Sequence, residues 1–167
     1  MLQPVVRRTW APRGQTPILP AWDRHDRLSV ISALALAPQR VRLGLYWKAQ
    51  TQNIRGPHVV DFLRMVRRSL RRKLVLILDR WNVHKSKVVR GYLERHAATI
   101  LVEWLPAYAP DLNPSEQVWN HTKYSDLANF IPMDRADLHA HVDASIAGQR
   151  RQALLLRSFF QTARLKV

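Results

Sequence analysis

Two carboxylates stand in settings that suit divalent-metal chemistry. Asp79 closes the apolar run Leu74-Val75-Leu76-Ile77-Leu78, and Glu116 follows the proline-rich stretch Leu105-Pro106-Ala107-Tyr108-Ala109-Pro110-Asp111-Leu112-Asn113-Pro114-Ser115. Phosphodiester chemistry is commonly run by two metal ions about 3.5–4 Å apart, one activating the attacking oxygen and one stabilising the leaving oxygen. Mg²⁺ takes oxygen ligands and keeps several waters, so a few converging carboxylates hold it without a His or Cys cage. Each acid also has a plainer reading. Asp79 could cap the helix after its strand, and Asn113-Pro114-Ser115-Glu116 fits a helix start in which Glu116 closes a capping box. Asp111 is assigned to the turn before that helix.

The elements that must position these acids follow from hydrophobic spacing. Leu28 to Ala37 and Val41 to Trp47 predict a strand hairpin joined by Pro38-Gln39-Arg40. Val59, Leu63, Val66 and Leu70 recur at helical spacing and predict a helix from about Pro57 to Arg72. Leu74–Leu78 and Thr99–Trp104 are short apolar runs, expected as strands buried on both faces. Between them, Lys85 to His96 predicts a helix with Val88, Val89, Tyr92 and Leu93 inward. Further helices are expected from Asn113, from a cap at Asp134 through Ala147, and from Arg150 to Ala163. Near the amino terminus, Pro12 to Gly14 predicts a turn between two short extended pieces. The order gives an α/β fold, a mixed sheet with helices packed on it. With no domain boundary evident, residues 1–167 read as one domain, with 134–167 as its helical end. The 37-residue separation of Asp79 and Glu116 holds one helix, one strand and one loop, enough to return the chain to the same end of the sheet.

Charge narrows the partner. Lys and Arg number 27 against 12 Asp and Glu, a net charge of +15, which predicts attraction to a polyanion. On charge alone, a nucleic-acid enzyme and a generic basic protein such as a ribosomal one are equal alternatives. Arg64, Arg67, Arg68, Arg71, Arg72 and Lys73 put six positive charges into ten residues, a candidate DNA-binding cluster or a solvated helix face. Arg150, Arg151, Arg157 and Arg164 form a thinner basic surface. The absence of cysteine excludes disulfides and thiolate metal sites. No signal-peptide core or membrane-length apolar run occurs, so a soluble protein with no membrane partner is expected.

At its acidic residues the chain resembles the DDE transposases of the mariner-like superfamily, specifically the bacterial insertion-sequence branch. The matching blocks are Leu76-Ile77-Leu78-Asp79-Arg80-Trp81-Asn82-Val83-His84-Lys85-Ser86 and Leu105 through Trp119, with Lys123 following. Trp10-Ala11-Pro12-Arg13-Gly14-Gln15 is similar to another of the family's blocks. The resemblance covers nearly the whole chain. It implies a ribonuclease H-like fold, Mg²⁺ or Mn²⁺ as cofactor, Asp79 and Glu116 as catalytic metal ligands, and cutting and rejoining of transposon ends. It also implies double-stranded DNA as partner, both transposon ends and target, a homodimer, and a cytoplasmic, nucleoid-associated location. His84 matches a family His and would contact the scissile phosphate or orient Asp79; a packing role at a helix start is its alternative. Lys123 is a candidate phosphate contact or a solvated lysine, and Trp119 is expected to pack its helix into the core.

The chain departs from the family at one point. The first acid of the family sits in an Asp-Glu pair ahead of the segment that aligns with Leu2-Gln3-Pro4. Asp23, Asp26 and Asp61 are not evident substitutes. The expectation is a catalytic domain lacking its first strand and first metal ligand, with weak or no activity by itself. A misplaced start, a frameshift or decay of the element would each produce such a chain. Two other readings stay open: a non-catalytic DNA-binding remnant, and a ribonuclease H-like nuclease with another substrate.

Overall fold

The structure, a computed structural model, describes residues 7, 8, 10–18 and 27–167. Its first ladder is a hairpin. Strands β1 (Ser29–Leu36) and β2 (Leu43–Gln50) pair antiparallel, with Ala33 opposite Tyr46. Helix α1 (Gly56–Leu70) carries Pro57 in its first turn, where the missing N–H costs nothing, and ends at Arg71 in the left-handed region (φ 50°). Strand β3 (Leu74–Leu78) follows at once, then helix α2 (Lys87–Arg95) and strand β4 (Ile100–Trp104), which pairs parallel to β3. A 3₁₀ turn (Pro110–Leu112) leads into helix α3 (Ser115–His121), extended by one π turn (Thr122–Asp126). Helices α4 (Arg135–Arg151) and α5 (Ala153–Thr162) close the chain, and Asp134 caps α4 by accepting from the Asp137 N–H at 2.7 Å.

The expected mixture of parallel and antiparallel pairing is therefore present, as two two-stranded ladders among the described residues. Two cores back them. Leu28, Leu45, Val118, Leu138, Val142, Ile146, Leu156 and Phe159 join β2 to α3, α4 and α5, with Val30, Leu34 and Trp119 packed against them. Val59, Leu63, Leu78, Val89, Tyr92 and Ile100 join α1, α2, β3 and β4, and Ile31 of β1 reaches this second core. Strand β1 thus sends Val30 and Leu34 to one core and Ile31 to the other, as the two-residue period of a strand requires.

The expected burial of β3 and β4 on both faces is corrected. Leu76, Leu78, Ile100 and Val102 face the helices, whereas Val75 (64% exposed), Ile77 (58%) and Leu101 (58%) point outward. Helices α1 and α2 cover one face only, and a five-residue apolar run does not distinguish one covered face from two. Val88, expected inward, is half exposed, because α2 turns Val89, Tyr92 and Leu93 to the core. The turn at Pro12 is present, the Gln15 N–H donating to Pro12 O at 3.0 Å. Its expected extended flank at Val5-Val6 lies outside the described residues, as do Asp23 and Asp26, while residues 15–18 form no strand. No helix among the described residues is long and apolar enough to cross a membrane.

Candidate active site

The site begins where β3 ends. After Leu78 the parallel ladder gains one more bond, Leu105 N–H to Leu78 O at 2.8 Å, and the Arg80 guanidinium donates to Leu105 O at 3.0 Å. These two bonds tie the chain leaving Asp79 to the chain entering the proline-rich stretch. Asp79 Oδ1 accepts the Trp81 N–H (3.0 Å) and lies 2.9 Å from His84 Nδ1, which holds the carboxylate over a tight turn. Oδ2 accepts no hydrogen bond among the described residues. The Asp79 side chain is 42% exposed and the His84 side chain only 12%, so the acid faces solvent while its partner backs it from inside.

Glu116 arrives through turn chemistry. The 3₁₀ turn spends the Asn113 N–H on Pro110 O (2.9 Å), and Asn113 then caps α3, its Oδ1 accepting from the Ser115 N–H (3.1 Å) and its carbonyl from the Glu116 N–H (3.0 Å). The capping box considered for Glu116 is absent, because the backbone N–H it would bind is already taken by Pro110. The Glu116 carboxylate is left without a hydrogen bond among the described residues.

Electrostatics link the two acids. The hydrogen bond from His84 holds Asp79 below the ordinary Asp range against the opposing effect of burial, with the Trp81 N–H and the His84 charge adding to the lowering. Burial pushes Glu116 above the ordinary Glu range, the Asp79 charge pushes it further, and Lys123 pulls it back. Asp79, His84, Glu116 and Lys123 therefore share one electrostatic neighbourhood at the end of β3. No group of three His, Asp or Glu side chains placed to hold a metal occurs among the described residues, and Asp61 is engaged with Arg64 on α1 (2.9 Å).

The basic cluster lies elsewhere. Arg64, Arg67 and Arg68 sit in the middle and last turns of α1 and meet Tyr92, Arg95 and His96 of α2 around a cavity of about 370 Å³. Arg71 forms the cap of α1, and Arg72 and Lys73 are exposed in the link to β3. Sequence reasoning missed Arg95 and His96. Their signal was available, since Tyr92, Arg95 and His96 share one face of α2 at three- and four-residue spacing.

Helices layered on short parallel and antiparallel ladders place the described residues in the α/β class. The sequence model described as DDE superfamily endonuclease matches residues 1–139, and the chain belongs to that family. Solved structures of Mos1 are similar to it in fold. The Mos1 strand transfer complex is 16% identical, with a TM-score of 0.61 over 96% of this chain and 46% of that one. The Mos1 mariner paired-end complex with Mn is 16% identical, with a TM-score of 0.61 over 98% and 48%. The Mos1 transposase paired-end complex with left transposon end is 15% identical, with a TM-score of 0.62 over 96% and 47%. The chain spans about half the length of these proteins. No curated protein matches it.

Proposed function

We propose that this chain is the catalytic domain of a DNA transposase of the bacterial insertion-sequence branch, cutting and joining element ends with Mg²⁺ or Mn²⁺. The observation that carries the reading is the Asp79 charge acting on Glu116, each acid with carboxylate oxygen that accepts no hydrogen bond among the described residues. Two like charges held together in a half-buried edge oppose folding unless a cation joins them, so the donor set fits a hard divalent ion with water completing its shell. A bound cation would polarise a phosphodiester oxygen and steady the charge that develops on it.

The protein's own groups have separable tasks. Asp79 presents Oδ2 outward because Oδ1 is fixed by Trp81 and His84. His84 acts on Asp79 and not on the substrate, which favours the orienting role over direct phosphate contact. Lys123 places positive charge beside Glu116, where a phosphate would approach. Residues 1–167 act as one domain, and the core shared by β2 with α3, α4 and α5 supports including residues 134–167 in it. Duplex DNA is the partner, approached through the net charge of +15, and the DNA-bearing compartment is the bacterial cytoplasm. Paired-end complexes among the solved relatives support a working homodimer.

A second reading, a DNA-binding form without catalysis, is favoured by one observation: only two carboxylates meet at this edge among the described residues. Nicking by this chain alone is accordingly expected to be slow. The test is Mn²⁺-dependent nicking of duplex DNA carrying element ends, compared with Asp79→Asn and Glu116→Gln. Nicking lost in both variants supports the transposase; binding with no nicking at any Mn²⁺ concentration supports the second reading.

A further inference from the structure

Helices α1 and α2 flank an open cavity that no part of the acid site uses. Arg64, Arg67 and Arg68 enter it from α1, and Tyr92, Arg95 and His96 from α2. Its floor is built. Tyr92 is buried, with the Arg67 guanidinium directed at its hydroxyl (3.5 Å), the Arg64 guanidinium 5.8 Å from its ring centre and the His96 ring 4.3 Å away. His96 is fixed in turn, its Nδ1 2.8 Å from Tyr92 O.

The charge balance of this cavity is one-sided. Four guanidiniums converge on it, and the carboxylate paired with any of them is Asp61, on Arg64. Arg68 and Arg95 meet no acid and no hydrogen-bond acceptor among the described residues. Arginines on an ordinary solvated face spread apart; here two helices aim them at one concavity, where a wall of single sign concentrates the field. The cost of that repulsion is relieved by an anion. Guanidiniums suit phosphate through paired N–H donors. Tyr92 is buried under the arginines and the His96 ring lies against it, so the groups most exposed in the cavity are guanidiniums, and the chemistry recognised is that of the backbone.

Its location is opposite the acids. Gly56, at the start of α1, lies against Ser86, at the start of α2, where a Cβ on Gly56 would come within 2.6 Å of Ser86 Oγ. Both helices therefore start beside the Asp79 turn and run back along the strands. Arg64 to Arg68 lie about 12–18 Å along α1 at 1.5 Å per residue. His96 meets the opening of β4, its carbonyl accepting the N–H groups of Thr99 (2.8 Å) and Ile100 (2.8 Å). At about 3.4 Å per nucleotide on one strand, the gap corresponds to roughly four or five nucleotides.

We propose that the cavity between α1 and α2 is a second DNA site, gripping backbone phosphates some four to five nucleotides from the acid edge, with Arg68 and Arg95 as its principal contacts. This rests on the reading of the chain as a DNA-acting domain. It also divides the basic cluster: Arg64, Arg67 and Arg68 serve the cavity, and Arg71, Arg72 and Lys73 do not.

The experiment measures affinity of the full chain for a labelled duplex as a function of salt, for Arg68→Glu with Arg95→Glu, for the milder Arg68→Gln with Arg95→Gln, and for Arg150→Glu with Arg151→Glu. The last pair changes net charge equally on an exposed part of α4. Each phosphate contact contributes about 0.9 to the slope of log affinity against log salt, so both cavity variants should lower it by nearly two. Their affinity should fall at least tenfold, with the α4 pair losing less than half as much slope. Equal losses at both places, or none at the cavity, would overturn the proposal. Circular dichroism checks the fold of each variant, and the Gln pair carries the test if the Glu pair unfolds. Mn²⁺ binding at Asp79 and Glu116 is measured in parallel; intact metal binding with no cavity effect removes this site and leaves the transposase reading standing.

Discussion

The two ends of the unit formed by α1, α2, β3 and β4 solve opposite electrostatic problems. At the end of β3 the Asp79 charge raises the proton affinity of Glu116, while Asp79 itself is steadied by His84 and the Trp81 N–H. At the start of the strands arginines converge with little to neutralise them. One end suits a small cation held by oriented oxygen, which needs rigid support; the other suits a polyanion, which needs reach and density of charge. Strand β3 alternates between a covered and an open face, burying Leu78 beside Asp79 and turning Val75 and Ile77 outward.

The largest expected effect uses that contrast within one strand. Leu78→Ala should cost about 2–5 kcal/mol by leaving a cavity under the acid turn, while Val75→Ala should stay within about 0.5 kcal/mol. Urea unfolding of the two variants measures the difference, and equal costs would mean that both faces of β3 are packed alike. Next, His84→Ala should weaken Mn²⁺ binding about tenfold, since groups that orient metal ligands are worth about that much or more. Titration calorimetry reads it, and an unchanged affinity would give His84 a packing role only.

The pH dependence is subtler and has a definite sign. Asp79, with its lowered value, adds stability above the ordinary Asp range that is lost as pH falls through the lowered value. Glu116, with its raised value, acts in reverse: the folded state holds its proton longer, so its contribution declines as pH rises from the ordinary Glu range through the raised value. Cation binding should therefore fail on acidification at a higher pH than an ordinary glutamate would dictate. Asp79→Asn should bring the Glu116 titration down without restoring it fully, because burial is the larger cause. Carbon-13 NMR of the Glu116 carboxyl follows this directly, and a titration indifferent to Asp79 would separate the two acids. The smallest effect is on stability: without metal, Glu116→Gln should stabilise the fold at neutral pH by less than about 1 kcal/mol, since the site is partly exposed.

Much of this was legible in the sequence, for physical reasons. Strand alternation placed the β1–β2 hairpin, helical spacing placed α1, and the strand-end position of Asp79 followed from its apolar run. The turn-forming residues before Glu116 foretold a helix start, but not that Pro110 would take the Asn113 N–H and leave the carboxylate unbonded. That outcome depends on a 3₁₀ turn whose geometry no residue type specifies. The open face at Val75, Ile77 and Leu101 was equally hidden, since apolar composition records only that a residue can be buried. The cavity escaped for a third reason: Arg68 and Arg95 are 27 residues apart and meet only when α1 packs on α2.

The central claim is that Asp79 and Glu116 form one divalent-cation site, and Mn²⁺ binding followed by electron paramagnetic resonance tests it most directly. The unaltered chain should bind Mn²⁺ in competition with Mg²⁺, and Asp79→Ala and Glu116→Ala should each abolish that binding, with the double variant no worse than either. Undiminished Mn²⁺ binding in the double variant would contradict the account and place the metal elsewhere.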